Sequence, residues 1–231
     1  HAHGGGYATG SVHAYAGFLE RLALRLNARI LSVTTKGYEY CGMICDNTNQ
    51  LVQTPEHPYP HQVNEFAIAY EWLTQQKNVD PDNIVLMGDS AGGNIIFSFL
   101  HQYVGPFFFK QTNKMLTITH LKIIPKARRP RVAVGICPQL DLTDSRLPPT
   151  CNDQLVIQFN DPVLTLDTYN GYMKFLGINN ATKRQLSVFF AQDLSFLPEH
   201  TLVQASDTEL LWRQNMEFAQ RAEKKITFQV R

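Results

Sequence analysis

Short apolar runs alternate with glycine-rich and polar segments along this chain, and the clearest such pattern lies near its middle. Ile84–Met87 is a short apolar run behind an Asp-Pro-Asp-Asn segment, which is typical of a buried strand. Gly88–Gly93 predicts a tight turn, and Asn94–Leu100 has the dense apolar residues of a buried helix. The chain is therefore predicted to pass abruptly from a strand into a helix at this turn.

Comparable patterns predict the other elements of the fold. Apolar runs predict strands at Arg29–Val33, Val132–Ile136, Thr201–Ala205 and Ile226–Val230. Helical spacing of apolar residues predicts helices at Ser11–Ala28, Val63–Gln76, around Leu164–Leu176, and Glu209–Ala222. Because strands alternate with helices, right-handed parallel crossovers are expected. We predict an α/β fold in which residues 1–231 form a single domain, with a mostly parallel sheet flanked by helices.

Composition narrows the classes of function. Hydrophobic residues make up 44% of the chain and charged residues 18%, which is enough for one domain with a real core. The net charge of +1 gives no electrostatic reason to expect nucleic acid as a partner. No apolar run reaches the ~18 residues of a membrane span. The four cysteines show no disulfide framework and no zinc pattern, so free thiols are expected.

The predicted turn fits the pattern G-x-S-x-G, with Ser90 between Gly88 and Gly92. Glycines leave room for the close backbone approach that such a reversal forces, and the serine Oγ would face the free N–H groups of the helix N-terminus. The pattern alone is weak, since a glycine-rich turn capping a helix also explains it. Chymotrypsin-like proteases have a similar string, but that fold has no strand before it and no helix after it. It also requires a His-Cys pair upstream of the serine, and this sequence has none.

A second glycine run, His3–Tyr7, lies near the start of the chain. Consecutive glycines let the backbone turn its N–H groups inward, and a tetrahedral oxyanion needs two or three such donors. Alone, three glycines are more often a flexible loop. The spacing of His1 and His3 suggests a metal, but no acidic or cysteine partner follows, so no metal site is predicted.

These two motifs occur together with Pro55–Pro60 and Ser206–Leu211, in the order found in the hormone-sensitive-lipase-like branch of the α/β-hydrolases. The chain resembles that family over most of its length. The resemblance implies an α/β-hydrolase fold that cleaves carboxylic esters through a covalent acyl-enzyme, with no cofactor. The expected substrate is a small-molecule ester, with short-chain acyl or acetyl esters favoured.

The resemblance also implies the residues of a site. Ser90 is the expected nucleophile, and the backbone N–H groups of Gly5, Gly6 and Ala91 are the expected oxyanion donors. His3 is expected to brace the glycine loop, and Tyr7 to border the substrate pocket. The remaining positions of the two motifs are expected to support this geometry: Gly4, Gly88, Asp89 and Gly92.

A serine nucleophile needs a histidine base, and the base needs a carboxylate. In the order serine, acid, histidine, the acid is expected on a turn after a later strand, where Asp207 stands. Glu209, inside the predicted helix start, is the second candidate, and a helix N-cap is the alternative role for Asp207. No histidine follows His200, and the family places the base after the strand that ends at Val230. The chain is therefore interpreted as truncated at both ends and is expected to be inactive alone.

Two segments depart from the family pattern, Thr34–Gln50 and Val104–Lys122. Both are interpreted as insertions, either real loops or translated introns. Residues 145–192 are expected to be largely irregular and to form a partial lid around the helix near Leu164–Leu176. Its aromatic residues line a substrate pocket or simply pack the helix: Phe159, Tyr169, Tyr172 and Phe175.

Other functions stay open at this point. The family includes binding proteins that keep the serine but lack the histidine, so a non-catalytic small-molecule-binding relative is one alternative. An amide deacetylase would use the same residues. A nonfunctional gene product is a third possibility, given the two insertions. The sequence favours no compartment and no oligomeric state.

Overall fold

The computed structural model describes residues 1–35, 59–104, 129–143, 145, 147, 164–222 and 225–230. The predicted insertions lie almost entirely outside these residues, as do the greater part of the Pro55–Pro60 motif and the first part of the predicted lid. Those predictions therefore stay predictions, and the fold below is that of the described residues.

A parallel sheet forms the centre of the fold. Its strands are β1 (Val85–Asp89), β2 (Val132–Ile136), β3 (His200–Ala205) and β4 (Ile226–Val230), and they lie side by side in chain order. All three neighbouring pairs are parallel. Ala2 extends the sheet beyond β1 through parallel bridges to Gly88 and Val33. The predicted mostly parallel α/β sheet is thus confirmed, and every strand ends at the same edge.

Six α-helices accompany the sheet in the described part of the chain. They are α1 (Val12–Leu26), α2 (His61–Glu71), α3 (Ser90–Phe99), α4 (Leu166–Phe175), α5 (Asn180–Leu186) and α6 (Trp212–Arg221). π-helical turns prolong α2 over Trp72–Gln76 and α3 over Leu100–Val104. Side-chain caps begin three helices, because Ser11, Thr165 and Asn179 each accept a backbone N–H from the first turn.

The core is built around α3, which packs on β1, β2 and α2. From Ala91 to Phe99 every residue of this helix is buried. The Phe99 ring meets Phe66 of α2 at 5.5 Å between centroids, and the Phe97 ring meets Phe218 of α6 at 6.3 Å. Truncating such a buried ring to alanine typically costs about 3–5 kcal/mol. The helix that follows the serine is therefore held rigidly from both sides.

Helix α1 is where predicted, but its apolar residues are mostly uncovered. Leu19 is its one buried residue, whereas Leu24 is 76% exposed and Leu26 63% exposed. Its amphipathic pattern predicted the helix correctly, because helical spacing needs only local sequence. The pattern does not say what packs against the apolar face, and the described residues cover little of it.

Several predicted details are wrong. The strand predicted at Arg29–Val33 is not formed, and Val33 makes only an isolated parallel bridge to Ala2. Helix α3 begins at Ser90 instead of Asn94, so the glycines Gly92 and Gly93 are already helical. Helix α5 lies within a stretch expected to be irregular, because only two of its seven residues face inward and such a pattern has no visible period. Glu209 does not lie in a helix start: its N–H bonds to the Ser206 carbonyl at 3.3 Å in a turn, and α6 begins at Trp212.

Candidate active site

The turn around Ser90 is a strained connection between β1 and α3. Ser90 has φ 51°, a left-handed conformation that non-glycine residues rarely adopt. A Cβ at Gly88 would lie 2.5 Å from the Gly92 carbonyl oxygen, and one at Gly92 would lie 2.2 Å from that of Ala2. Both positions therefore require glycine, as the sequence pattern predicted. The backbone holds Ser90 at the carboxyl end of β1.

The glycine loop lies beside this turn because Ala2 donates its N–H to the Met87 carbonyl at 2.9 Å. Gly5 has φ 124° and Gly6 φ 61°, conformations that favour glycine. The Gly5 carbonyl accepts the N–H groups of Ala8 and Thr9 at 3.1 and 2.8 Å, which fixes the turn. The N–H of Ala91 is also available for a ligand, since the first helical residues have no acceptor one turn earlier.

Asp89 joins the glycine loop to the serine turn. Its carboxylate accepts the Gly4 N–H at 3.1 Å and the Tyr15 hydroxyl at 2.7 Å. Burial is the largest cause that raises the pKa of Asp89, and the hydrogen bonds from Tyr15 and Gly4 oppose that effect. Burial and the neighbouring Asp89 raise the pKa of Tyr15 as well, so it stays a hydroxyl donor. The sequence pattern indicates only a supporting role for Asp89 and no role for Tyr15.

Burial of Asp89 predicts a pH-dependent stability. A carboxyl whose folded pKa is raised stabilises the fold below its unfolded pKa of about 4, and this contribution is lost as the pH rises through the folded value. Relative to Asp89→Asn, the wild type should therefore lose free energy of unfolding as the pH rises from about 4. Urea unfolding of both proteins between pH 4 and 8 measures the difference, and a difference independent of pH would contradict the raised pKa.

His3 and Tyr7, at the two ends of the glycine run, are both buried. Nδ1 of His3 lies 2.8 Å from the Gly4 carbonyl oxygen, a contact that fits the predicted bracing role. Tyr7 has φ 63°, and its ring packs edge-on against Tyr59 at 5.6 Å. Its predicted place at the edge of a substrate pocket stays a prediction.

A network of buried polar residues holds the backbone of the serine turn in place. The Gln139 N–H donates to the Ser90 carbonyl at 3.0 Å, and the Asn94 amide donates to the Gln139 carbonyl at 2.7 Å. The Tyr59 Oη lies 2.9 Å from Asn94 Oδ1 and 2.8 Å from Ser98 Oγ, and burial raises its pKa. The sequence does not reveal this network, because the residues that form it are far apart in the chain.

Helix α4 covers the glycine loop. A Cβ on Gly6 would lie 2.2 Å from the Tyr172 ring, so the ring rests directly on the Gly6 backbone. On the buried face of α4, the Tyr169 Oη lies 3.1 Å from Gln139 Nε2. The predicted lid helix therefore contacts the glycine loop directly and the serine turn through Gln139. Tyr172, one of the aromatic residues singled out in the sequence, lies against Gly6, one of the expected oxyanion donors.

Asp207 lies two residues beyond the end of β3, on an exposed turn. This turn lies at the same sheet edge as Ser90, because β1, β2 and β3 are parallel and Asp89, Ile136 and Gln204 are in register. Asp207 does not cap α6, which begins five residues later, so the N-cap alternative is wrong. His200 begins β3 and lies at the opposite edge, away from both side chains.

Comparison with known proteins identifies the family to which this fold belongs. Residues 50–229 match a family model, Abhydrolase_3, described as alpha/beta hydrolase fold. The chain belongs to this α/β-hydrolase family. An esterase of Acinetobacter venetianus is 24% identical over 226 residues, covering 96% of this chain and 60% of the esterase. Bovine hormone-sensitive lipase is 31% identical over 101 residues, covering 42% of this chain and 11% of the lipase.

Solved structures show the same fold. Carboxyl esterase 2 of the fungus Tuber melanosporum superposes with a TM-score of 0.68 at 22% identity. The match covers 99% of this α/β-hydrolase chain and 64% of the esterase chain. An esterase of the bacterial hormone-sensitive lipase family superposes with a TM-score of 0.67 at 24% identity. The predicted α/β-hydrolase core with hormone-sensitive-lipase-like relatives is thus confirmed. The chain spans less than two thirds of the length of these esterases.

Within the residues that the structure describes, no helix combines the length and the apolar character needed to cross a bilayer.

Proposed function

We propose that the full-length protein hydrolyses carboxylic esters through an acyl-enzyme formed on Ser90. The observation that carries this proposal is the strained Ser90 turn tied to the glycine loop by Asp89. A serine on such a turn presents its Oγ at the sheet edge, beside donors that are already oriented. The esterases among the relatives of this chain support the same chemistry.

In the proposed mechanism, the Ser90 Oγ attacks the ester carbonyl and the carbonyl oxygen becomes an oxyanion. Gly5, Gly6 and Ala91 donate backbone N–H groups to that oxygen, and a preorganised donor of this kind contributes about 3–4 kcal/mol. A histidine base passes the serine proton to the leaving alkoxide, and the alcohol departs. Water, deprotonated by the same base, then attacks the acyl-enzyme, which releases the carboxylic acid and restores Ser90. Asp207 orients the histidine that takes the serine proton, and by family resemblance that histidine stands on a loop after β4.

The position of Tyr172 supports a preference for short acyl or acetyl esters. Its ring lies on Gly6 and limits the space above the proposed oxyanion donors. A longer acyl chain would have to displace the ring or pass beside it. We therefore propose that acetyl and other short-chain esters react faster than long-chain esters.

The test is hydrolysis of p-nitrophenyl acetate, butyrate and palmitate by the full-length protein, with p-nitroacetanilide as the amide. A burst of p-nitrophenol, with an acyl adduct on the peptide that contains Ser90, is expected, because acylation precedes hydrolysis. Faster cleavage of the amide than of the esters would replace the proposal with an amide deacetylase. No turnover and no adduct would favour a non-catalytic small-molecule-binding protein.

Replacement of Tyr172 tests the proposed chain-length limit. Tyr172→Ala removes the ring above Gly6, so the ratio of kcat/KM for p-nitrophenyl hexanoate to that for the acetate should rise about 10-fold, the order of a pocket that discriminates by size. Tyr172→Phe keeps the ring and serves as the matched control, with an unchanged ratio. An equal ratio in all three proteins would contradict a role of Tyr172 in chain-length selection.

A further inference from the structure

Asp89, Tyr15 and Gly4 form a closed set of hydrogen bonds between three distant parts of the chain. Asp89 Oδ1 accepts the Gly4 N–H at 3.1 Å, and Oδ2 accepts the Tyr15 hydroxyl at 2.7 Å. The Tyr15 hydroxyl also lies 3.2 Å from the Gly4 nitrogen. The end of β1, the glycine loop and helix α1 therefore meet at one carboxylate.

The Asp89 carboxylate packs tightly against the backbone of Gly4. A Cβ at Gly4 would lie 2.3 Å from Asp89 Oδ2, so any other residue there would push the carboxylate away. A side chain at position 4 would therefore displace the Asp89 carboxylate from its present place. The Tyr15 ring is fixed between the rings of His1 and His3, with centroid distances of 5.5 and 5.6 Å. Tyr15 thus directs its hydroxyl at the carboxylate from a packed position.

The two ends of this contact adjoin the residues of the proposed chemistry. Asp89 directly precedes Ser90, and Gly4 directly precedes Gly5. The hydrogen bond from Gly4 to Asp89 therefore sets the distance between the nucleophile and the first proposed oxyanion donor. A displacement of about 1 Å in such a geometry is enough to cost on the order of 100-fold in rate.

We infer that Asp89 and Tyr15 are positioning residues, which hold the glycine loop at the distance from Ser90 that oxyanion stabilisation requires. The inference rests on the proposed ester hydrolysis. Neither side chain touches the substrate in this role. Asp89 acts through its bond to Gly4, and Tyr15 acts by holding the Asp89 carboxylate in place.

The titratable groups around the Asp89 carboxyl group affect whether it is ionised. His1 Nε2 lies 3.8 Å from Asp89 Oδ1, and His3 is close enough to act on it electrostatically. Tyr15 is the third titratable neighbour and donates a hydrogen bond. These contacts favour the ionised carboxylate, which accepts both hydrogen bonds at once, while burial opposes ionisation.

The experiment compares Asp89→Asn, Tyr15→Phe and Tyr103→Phe in the full-length protein, with p-nitrophenyl butyrate as substrate. Tyr103→Phe is the matched control, because it also removes a tyrosine hydroxyl that donates to a side chain, that of Asn64, away from the glycine loop. The second readout is the inhibition constant of butylboronic acid, whose tetrahedral adduct with the serine places an oxygen among the oxyanion donors.

If the inference holds, kcat falls about 100-fold in Asp89→Asn and about 10-fold in Tyr15→Phe, with KM nearly unchanged. Inhibition by the boronic acid weakens in the same proportion, since the adduct and the transition state use the same donors. Tyr103→Phe keeps the wild-type kcat. Tyr15→Phe retains the ring and its packing, so it remains informative if Asp89→Asn does not fold.

Two results would overturn the inference while leaving ester hydrolysis intact. One is a wild-type kcat in Asp89→Asn and Tyr15→Phe together with loss of activity in Ser90→Ala. The other is an equal loss in Tyr15→Phe and Tyr103→Phe, which would indicate general loosening of the fold. A wild-type rate in Ser90→Ala would instead refute the proposed function, and the positioning role with it.

Discussion

Replacing Ser90 by alanine in the full-length protein is expected to lower kcat for p-nitrophenyl butyrate by roughly 10⁶-fold, the order seen when a serine nucleophile is removed from a working triad. Alanine has no oxygen to attack the carbonyl, so no acyl-enzyme can form. The oxyanion donors and the substrate pocket are left in place. They should keep a residual acceleration of roughly 10³–10⁴ over water.

The fold should survive this substitution. Alanine adopts the left-handed conformation at this position, with φ 51° in the wild type, at a cost similar to that of serine. The half-buried Ser195, on the loop before β3, offers a matched serine, and Ser195→Ala should keep full activity. Thermal unfolding of both variants near the wild-type temperature would show that the loss is chemical. Retention of the wild-type rate in Ser90→Ala would exclude Ser90 as the nucleophile.

The sequence predicted the serine turn well because the sterics there are local. Gly88 and Gly92 are required by backbone atoms within a few ångströms, so the requirement leaves its mark as glycine at fixed spacing. Strands β2 and β4 were predicted with their observed ends, because short apolar runs between polar segments are an unambiguous pattern. In each case the physical cause and the sequence signal lie in the same few residues.

The long-range contacts around the candidate site could not be predicted from the sequence. Tyr15 and Asp89 are 74 residues apart, and nothing in the spacing of α1 indicates that a tyrosine on it reaches a carboxylate at the end of β1. Tyr172 was singled out, but the sequence could not tell pocket lining from helix packing, because both need an apolar face. Its contact with Gly6 depends on how α4 crosses the sheet edge.

The position of Asp207, the proposed acid, shows a similar limit, because it depends on where a helix begins. The sequence predicted a helix from Glu209, which made an N-cap role for Asp207 reasonable. In the structure, Ser206 and Thr208 are joined through their hydroxyl oxygens at 2.9 Å, and α6 begins only at Trp212. Local hydrogen bonds of short polar side chains compete with helix formation in this way. The extra turn leaves Asp207 exposed at the sheet edge that Ser90 shares.

Replacing Asp207 by asparagine is the second change with a large expected effect. Asparagine keeps the shape of the side chain but cannot accept a hydrogen bond with a carboxylate charge, so the base histidine would lose its orientation and tautomer. A loss of roughly 10⁴-fold in kcat is the order expected for this change in a triad. The full-length protein and p-nitrophenyl butyrate again provide the measurement, together with labelling of Ser90 by a fluorophosphonate, which should slow in parallel.

Glu209→Gln is the matched control, since Glu209 is the other carboxylate of the same turn. If Asp207 is the acid, Glu209→Gln should stay within about 2-fold of the wild-type kcat, as expected for a side chain outside the triad. The reverse pattern would assign the acid to Glu209, which lies in the same turn before α6. Full activity in both variants would remove the carboxylate from the proposed mechanism and leave Ser90 with a base that works alone.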